Sequence, residues 1–282
     1  LVLNAKSTAY TVAPVLYGFK HFYPGIRVVG VVFNFVASVA HYAYLQQACA
    51  DAGVEALGYI PKDESIVIPS RHLGLSIDET FCFDTFADRV AEVIDKTVNV
   101  DRLLELCTVE FSGEQTEGVI CSGNRKIAIA RDEAFNFMYR ENVEALKRAG
   151  EVVFFSPLRD KSLPEADMVY FPGGYPELYL PELAANEGMR QSVRKYCENG
   201  GRVLAECGGM MYLCDTITDG DGKVYPMAGV LKQGATMEQM KLKLGYREVR
   251  VNGQRIRGHE FHYSRILPAN EKIPVIGTIY NA

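Results

Sequence analysis

The sequence predicts an α/β protein of two domains, each a parallel sheet with helices on both faces. Three observations carry this. Short β-branched runs alternate with amphipathic segments of helical length along most of the chain. The alternation stops at a polar, glycine-rich stretch, SGEQTEGVICSGN, and restarts beyond it. The length, 282 residues, exceeds one typical domain and suits two.

The first domain is expected over 1–111. Leu1–Asn4 reads as a short strand and Ala13–Phe22 as a helix. Arg27–Val36 is rich in valine and reads as a buried strand. His41–Ala52 is a helix stopped by Gly53, and Val54–Tyr59 a strand ended by Pro61. Thr80–Val98 and Val100–Cys107 have helical amphipathicity. Residues 112–124 form the expected linker, and 125–282 the second domain. There Lys126–Ala130 reads as a strand, Glu133–Ala149 as one helix ended by Gly150, and Glu151–Ser156 as a strand. Met168–Phe171 is a strand running into PGGYPE, and Glu182–Glu198 one helix closed by Gly200. Val203–Ala205 is a strand and Met210–Leu213 starts a helix. From Lys241 onward LGYREVRVN and RIRGHEFHYS alternate polar and apolar residues, the pattern of half-exposed antiparallel strands. The chain opens in a strand-like run at Leu1 and closes in another, VIGTIYNA, so a fragment of a longer chain is expected.

Composition narrows the function. The chain is 48% hydrophobic and 23% charged, with a net charge of −5 spread without blocks. That leaves no basic footprint for nucleic acid. The most apolar stretch, Val28–Val39, is too short to span a bilayer, so no membrane partner is expected. Seven cysteines, an odd number with no C-x-x-C pair, suggest neither a disulfide framework nor a metal site. Free thiols fit a reducing cytoplasm.

The stretch VLAECGGMMYL, Val203 to Leu213, holds the chemistry. An apolar strand ends at Cys207, two glycines permit a sharp turn, and a helix begins. This is how a nucleophile elbow is written, and a helix N-terminus favours thiolate. A buried cysteine before a glycine-rich turn would be written the same way. An attacking cysteine needs two backbone N–H groups aimed at the oxyanion. Gly208 supplies one, and the loop Pro172-Gly173-Gly174-Tyr175, which also follows a buried strand, the other. Tyr175 and Glu177 either contact the bound substrate or cap the next helix. Glu206, adjacent to the nucleophile on a strand, points to the opposite face and reads as structural.

The combination resembles the class I glutamine amidotransferases. FPGGYPELY (Phe171–Tyr179) and AECGGMMYL (Ala205–Leu213) look like the cobyrinic acid a,c-diamide synthase family. ARDEAFNFMYRENVEAL, FFSPLRD, LGYREV and RGHEFHYS match that family in order. The resemblance implies a flavodoxin-like second domain with added antiparallel strands. It implies that Cys207 attacks glutamine, forms a glutamyl thioester and releases ammonia, with a histidine moving protons. His259 and His262 are the only histidines in this half; the family's catalytic histidine usually lies in a later segment, so a structural or substrate-facing role is expected for both, with His262 as the base the alternative. The resemblance also implies a dethiobiotin-synthetase-like first domain that uses ATP and Mg²⁺ to phosphorylate a carboxylate. No G-x-x-x-x-G-K-[ST] run occurs, and that loop is expected upstream of Leu1. Asn34, ending a strand, matches the adenine-binding position, and Pro61 ends the loop Gly58-Tyr59-Ile60-Pro61 flanking the base; Asn34 also suits a plain turn. Ser38, His41 and the run Arg71–Leu75 match the family without a clear role. The implied substrate is cobyrinic acid; hydrogenobyrinic acid or nickel sirohydrochlorin are alternatives, as is a non-catalytic scaffold. The pattern leaves room for a homodimer.

Overall fold

The computed structural model describes residues 1–68, 70–71, 74–75, 82–110, 113, 124–251, 253–269 and 277–281. The chain divides into two compact units, Leu1–Gln115 and Thr116–Ala282. The linker expected at 112–124 lies outside the described residues except for 113 and 124.

In the first unit β1 (Val2–Asn4), β2 (Gly30–Val36) and β3 (Glu55–Pro61) form a parallel sheet in that order. Val31 and Phe33 alternate inward from β2 and are fully buried against Leu16 of α1 (Ala13–His21) and Leu45, Ala48 and Cys49 of α2 (Val39–Ala52). Helix α2 starts where it does because the Ser38 hydroxyl accepts the His41 N–H at 3.1 Å. It ends at Gly53 in the left-handed region, at φ 65°. The His41 ring accepts the Ala37 N–H through Nδ1 and faces the Thr8 carbonyl through Nε2, so it is a structural clamp. A two-residue ribbon, β4 (Ser70–Arg71) with β5 (Gly74–Leu75), follows. Helices α3 (Phe83–Thr97) and α4 (Val100–Cys107) then pack along β3.

The second unit is built on β6 (Arg125–Ala130), β7 (Gly150–Phe155), β8 (Met168–Phe171) and β9 (Arg202–Ala205). All are parallel, in the order β7-β6-β8-β9. Period-two alternation assigns the faces. Ile127, Ile129 and Tyr170 point toward α5 (Arg140–Ala149), meeting Leu146 and Ala149. Ala128, Ala130, Val169 and Phe171 point the other way. They pack on Leu183 of α6 (Leu180–Ala185), Met189 and Val193 of α7 (Glu187–Glu198) and Tyr212 of α8 (Gly208–Leu213). Helices on both faces of a parallel sheet follow from this alternation.

Among the described residues, seven further strands follow in this unit: β10 (Cys214–Thr218), β11 (Val224–Pro226), β12 (Leu231–Thr236), β13 (Lys243–Val251), β14 (Gln254–His262), β15 (Arg265–Ile266) and β16 (Gly277–Asn281). One sheet runs β11-β10-β12-β15 and another β14-β13-β16. The second is antiparallel throughout, with Leu244 opposite Phe261 and Tyr246 opposite His259.

Three sequence expectations need correction. The helix expected over 133–149 begins only at Arg140. The Asp132 carboxylate accepts the N–H groups of Ala134 and Phe135 at 3.0 and 3.2 Å, holding a turn where helix was expected. The helix expected over 182–198 is two helices broken at Asn186, whose side-chain amide donates to the Pro157 and Asp160 carbonyls, both at 2.8 Å. Strands β10 to β12 were not expected, and β10 pairs with β12 in parallel. Among the described residues, no helix is long and apolar enough to cross a membrane.

Candidate active site

Strands β8 and β9 are neighbours, with Phe171 opposite Ala205. The α6–α7 crossover therefore delivers two loops to one sheet edge. The pairing runs one residue past β9, where the Glu206 N–H donates to the Phe171 carbonyl at 3.0 Å. The chain then turns abruptly. Cys207 sits at φ 48°, ψ −115°, a conformation side chains other than glycine rarely adopt. Its carbonyl accepts the Met211 N–H at 3.2 Å, so the next residues are already helical. This is a strained elbow carrying its side chain at the turn.

The PGGY loop lies against that elbow. A Cβ on Gly208 would fall 2.6 Å from Pro176 Cδ and 3.0 Å from the Gly174 carbonyl, so this contact requires glycine. Gly174 has φ 154°, and a Cβ there would fall 2.1 Å from the Ala134 carbonyl oxygen. Two hydrogen bonds moor the loop: Tyr175 N–H to the Ala134 carbonyl at 2.9 Å, and Phe137 N–H to the Gly173 carbonyl at 3.1 Å. Behind them Asp132, buried, accepts four hydrogen bonds, from Ala134 and Phe135 N–H, Ser156 Oγ and Leu158 N–H. One carboxylate thus ties the β6 loop to the β7 loop. Asp132 and Phe137 were missed in the sequence; the run RDEAF, an Asp two residues before a turn amide, carried the signal.

The backbone amides of Gly208 and Gly174 act to lower the Cys207 thiol. The Gly173 carbonyl accepts the Phe137 N–H, which fixes the loop that carries the Gly173 amide. The expected net pull toward thiolate is reversed. Burial, aided by the Glu177 charge, holds the Cys207 thiol above its ordinary value despite the two amides, although the residue remains exposed at its surface. Helix α8 has only six residues, too short for a strong dipole to offset desolvation. Glu177 is half-buried, and burial lifts its carboxyl to about 7. The Tyr175 phenol is raised by burial and then by the Glu177 and Cys207 charges.

Glu206 turns away. It accepts the hydroxyl of the buried Tyr170 at 2.6 Å, on the α5 face of the sheet. The His262 ring faces the Ser264 carbonyl through Nδ1 at 2.8 Å and Glu260 Oε1 through Nε2 at 2.7 Å, leaving no nitrogen for Cys207. His259 stacks edge-on against Tyr139, with centroids 6.5 Å apart. No hydrogen bond among the described residues joins a histidine to Cys207.

In the first unit Asn34 and Pro61 reach the same sheet edge, since Val36 pairs with Pro61. Asn34 Oδ1 accepts the Phe35 N–H at 2.9 Å, leaving its amide NH₂ as the donor at that edge. Phe35 itself stands at φ 62°. His72 and Leu73 lie outside the described residues. Among the described residues, no group of three His, Cys, Asp or Glu side chains is placed to hold a metal ion.

A parallel α/β sheet presenting an elbow cysteine between two converging loops is the framework of a cysteine-nucleophile domain. Residues 126–281 match the family described as the CobB/CobQ-like glutamine amidotransferase domain. The chain belongs to that family. It is 36% identical to a cobyrinate a,c-diamide synthase of Salmonella typhimurium, over 95% of this chain and 62% of that protein. It is 38% identical to one of Caldanaerobacter subterraneus, over 94% and 62%. It is 36% identical to a hydrogenobyrinate a,c-diamide synthase of Pseudomonas aeruginosa, over 94% and 61%. The chain therefore spans about three fifths of the length of these relatives.

Proposed function

We propose that the second unit hydrolyses glutamine and that the whole protein uses the ammonia to amidate carboxylates of cobyrinate. The observation that carries the reading is the elbow: Cys207 at φ 48°, ψ −115° between β9 and α8, with the Gly173-Gly174 loop packed against Gly208. The thiolate attacks the side-chain amide carbon of glutamine, and the backbone amides of Gly208 and Gly174 receive the developing oxyanion. The C–N bond breaks, the thiol's proton leaves with the ammonia, and a glutamyl thioester remains. Water cleaves the thioester, releasing glutamate and restoring the thiol. Tyr175 and Glu177 line the space beside the sulfur and are the groups positioned to contact glutamine.

Amidation of a free carboxylate needs activation. ATP, with Mg²⁺, would supply the phosphoryl group that turns the carboxylate into an electrophile. The first unit fits the base of a nucleotide at one point: the Asn34 amide and Pro61 share the strand ends where open sheets bind ligands. The relatives include both cobyrinate and hydrogenobyrinate synthases at similar identity, which supports a tetrapyrrole polycarboxylate as substrate class.

The test is Cys207→Ser in the full-length protein. Glutamine-dependent amidation of cobyrinate is expected to vanish, while amidation with ammonium chloride continues at the parental rate. Retention of parental glutamine turnover would overturn the assignment. Parallel assays with hydrogenobyrinate decide between the two substrates.

A further inference from the structure

Asp132 lies two residues past the end of β6 and is buried. Among the described residues no lysine or arginine pairs with it, so its charge is met by hydrogen-bond donors alone. Oδ1 accepts the Ala134 and Phe135 N–H groups at 3.0 and 3.2 Å. Oδ2 accepts the Ser156 hydroxyl at 2.8 Å and the Leu158 N–H at 3.0 Å. An ionised carboxylate accepts on both oxygens, whereas a carboxamide has one oxygen and an NH₂. The two oxygens serve different loops. Oδ2 secures the loop after β7. Oδ1 leads to the elbow.

The turn at 134–135 is the bed of the PGGY loop. The Ala134 carbonyl accepts the Tyr175 N–H at 2.9 Å. A Cβ on Gly174 would fall 2.1 Å from that same carbonyl oxygen and 2.9 Å from Phe135 Cα. Backbone rests on backbone there without slack, so a shift of the turn carries Gly174 with it. Gly174 in turn abuts the elbow, its carbonyl oxygen 3.0 Å from where a Gly208 Cβ would stand. Its amide is among the groups that favour the Cys207 thiolate. A second tie leaves the same segment just past the turn, from the Phe137 N–H to the Gly173 carbonyl at 3.1 Å.

Resting on the glutaminase reading above, we infer that Asp132 is a positioning residue for the reaction at Cys207: its Oδ1 bonds hold the 134–135 turn, and the turn aims the Gly174 amide at the oxyanion. The carboxylate itself does not touch glutamine. It acts on the step in which charge builds on the amide oxygen, because a donor already in place needs no reorganisation then. A displaced donor leaves glutamine binding nearly intact and serves the tetrahedral oxyanion poorly. The division of bonds between the two oxygens makes the inference specific. Loosening the Oδ1 side slows the chemistry, and loosening the Oδ2 side weakens only the fold.

The test uses full-length protein carrying Asp132→Ala, Asp132→Asn or Ser156→Ala, each assayed below its thermal midpoint. Asp132→Ala frees the turn. Its glutaminase kcat is expected to fall roughly tenfold to a hundredfold, with the glutamine KM close to parental. Inhibition by glutamate γ-semialdehyde is expected to weaken by the same factor. The thiol adds across that aldehyde, sulfur to carbon and proton to oxygen, and the new hydroxyl stands where the oxyanion would. Alkylation of Cys207 by iodoacetamide builds no oxyanion and is expected to change at most a few-fold, while amidation with ammonium chloride stays parental. Asp132→Asn keeps one oxygen for Ala134 and Phe135 and turns its NH₂ to the Ser156 hydroxyl. It is expected to recover most of kcat at a lowered midpoint. Ser156→Ala, which loses one Oδ2 bond, is expected to lower the midpoint and leave kcat parental. Parental kcat and semialdehyde affinity in Asp132→Ala overturn the inference, and the glutaminase reading stands if Cys207→Ser is still inactive on glutamine. An Asp132→Ala chain that does not fold, or glutaminase activities that track the midpoints across the three variants, make the carboxylate a core residue alone and overturn the inference as well. Parental glutamine turnover by Cys207→Ser removes both.

Discussion

Burial raises the Cys207 thiol, and the Glu177 charge adds to that rise. Burial also lifts the Glu177 carboxyl to about 7. Glu177→Gln is therefore expected to lower the Cys207 thiol toward its ordinary value. Iodoacetamide should then alkylate Cys207 several-fold faster at pH 7.5; an unchanged rate would separate the two groups. The same substitution has a stability signature. A carboxyl whose folded value lies above its unfolded 4.5 binds protons more tightly when folded. Native stability consequently falls as pH rises from about 4.5, and the loss is complete above about 7. The ceiling is about 3 kcal/mol, reduced by the solvent that reaches the carboxyl. Glu177→Gln should match the parent at pH 4 and exceed it at pH 8 in thermal midpoint. At this scale the sequence was informative where chemistry and backbone demand coincide. Cys207, Gly174 and Gly208 stand out because an elbow and a close loop contact admit few residues. Asp132 did not stand out, because a carboxylate that organises turns by accepting four hydrogen bonds looks like any surface Asp until its partners are known.

Strands that bury both faces were legible as apolar runs, and each core strand of both parallel sheets lies where such a run occurs. Strands β10 to β12 were not. CDTIT, VYP and LKQGAT are short and mixed, and they become strands only by pairing with one another. The break between α6 and α7 was hidden for a different reason. Asn186 sits inside a helical pattern, but its side chain serves the carbonyls of Pro157 and Asp160 across the β7–β8 loop. Asn186→Ala leaves both carbonyls without that donor in a site only 6% exposed. The expected loss is about 2 kcal/mol, read as a lower urea midpoint at constant m. A merged helix with undiminished stability would mean that the sequence pattern alone governs the segment.

The whole chain holds two separate cores, one in each unit. One is built around Phe33, Leu45 and Leu16, the other around Phe171, Tyr212 and Leu183. Each places its candidate residues at the carboxyl ends of its own parallel strands, a location the alternation of strand and helix already announced. Asn34→Ala in the full-length protein is expected to raise the KM for ATP several-fold, with little change in kcat and none in glutaminase activity. The lost contact is remote from phosphoryl transfer and so weakens binding uniformly. An unchanged ATP KM would return Asn34 to the turn that its bond to the Phe35 N–H already describes.

The backbone at Cys207 has a consequence for descent. A side chain at φ 48°, ψ −115° holds the fold in an unfavourable state, a burden of about 1–3 kcal/mol, which the proposed nucleophile role accounts for. Glycine adopts that conformation freely, so Cys207→Gly should raise the melting temperature by a few degrees while ending glutamine turnover. Selection for activity and selection for robustness therefore pull this one codon in opposite directions. A lineage that came to draw ammonia from solution would be expected to acquire glycine here early, and a glycine at this elbow in a descendant sequence would date the loss of its glutaminase.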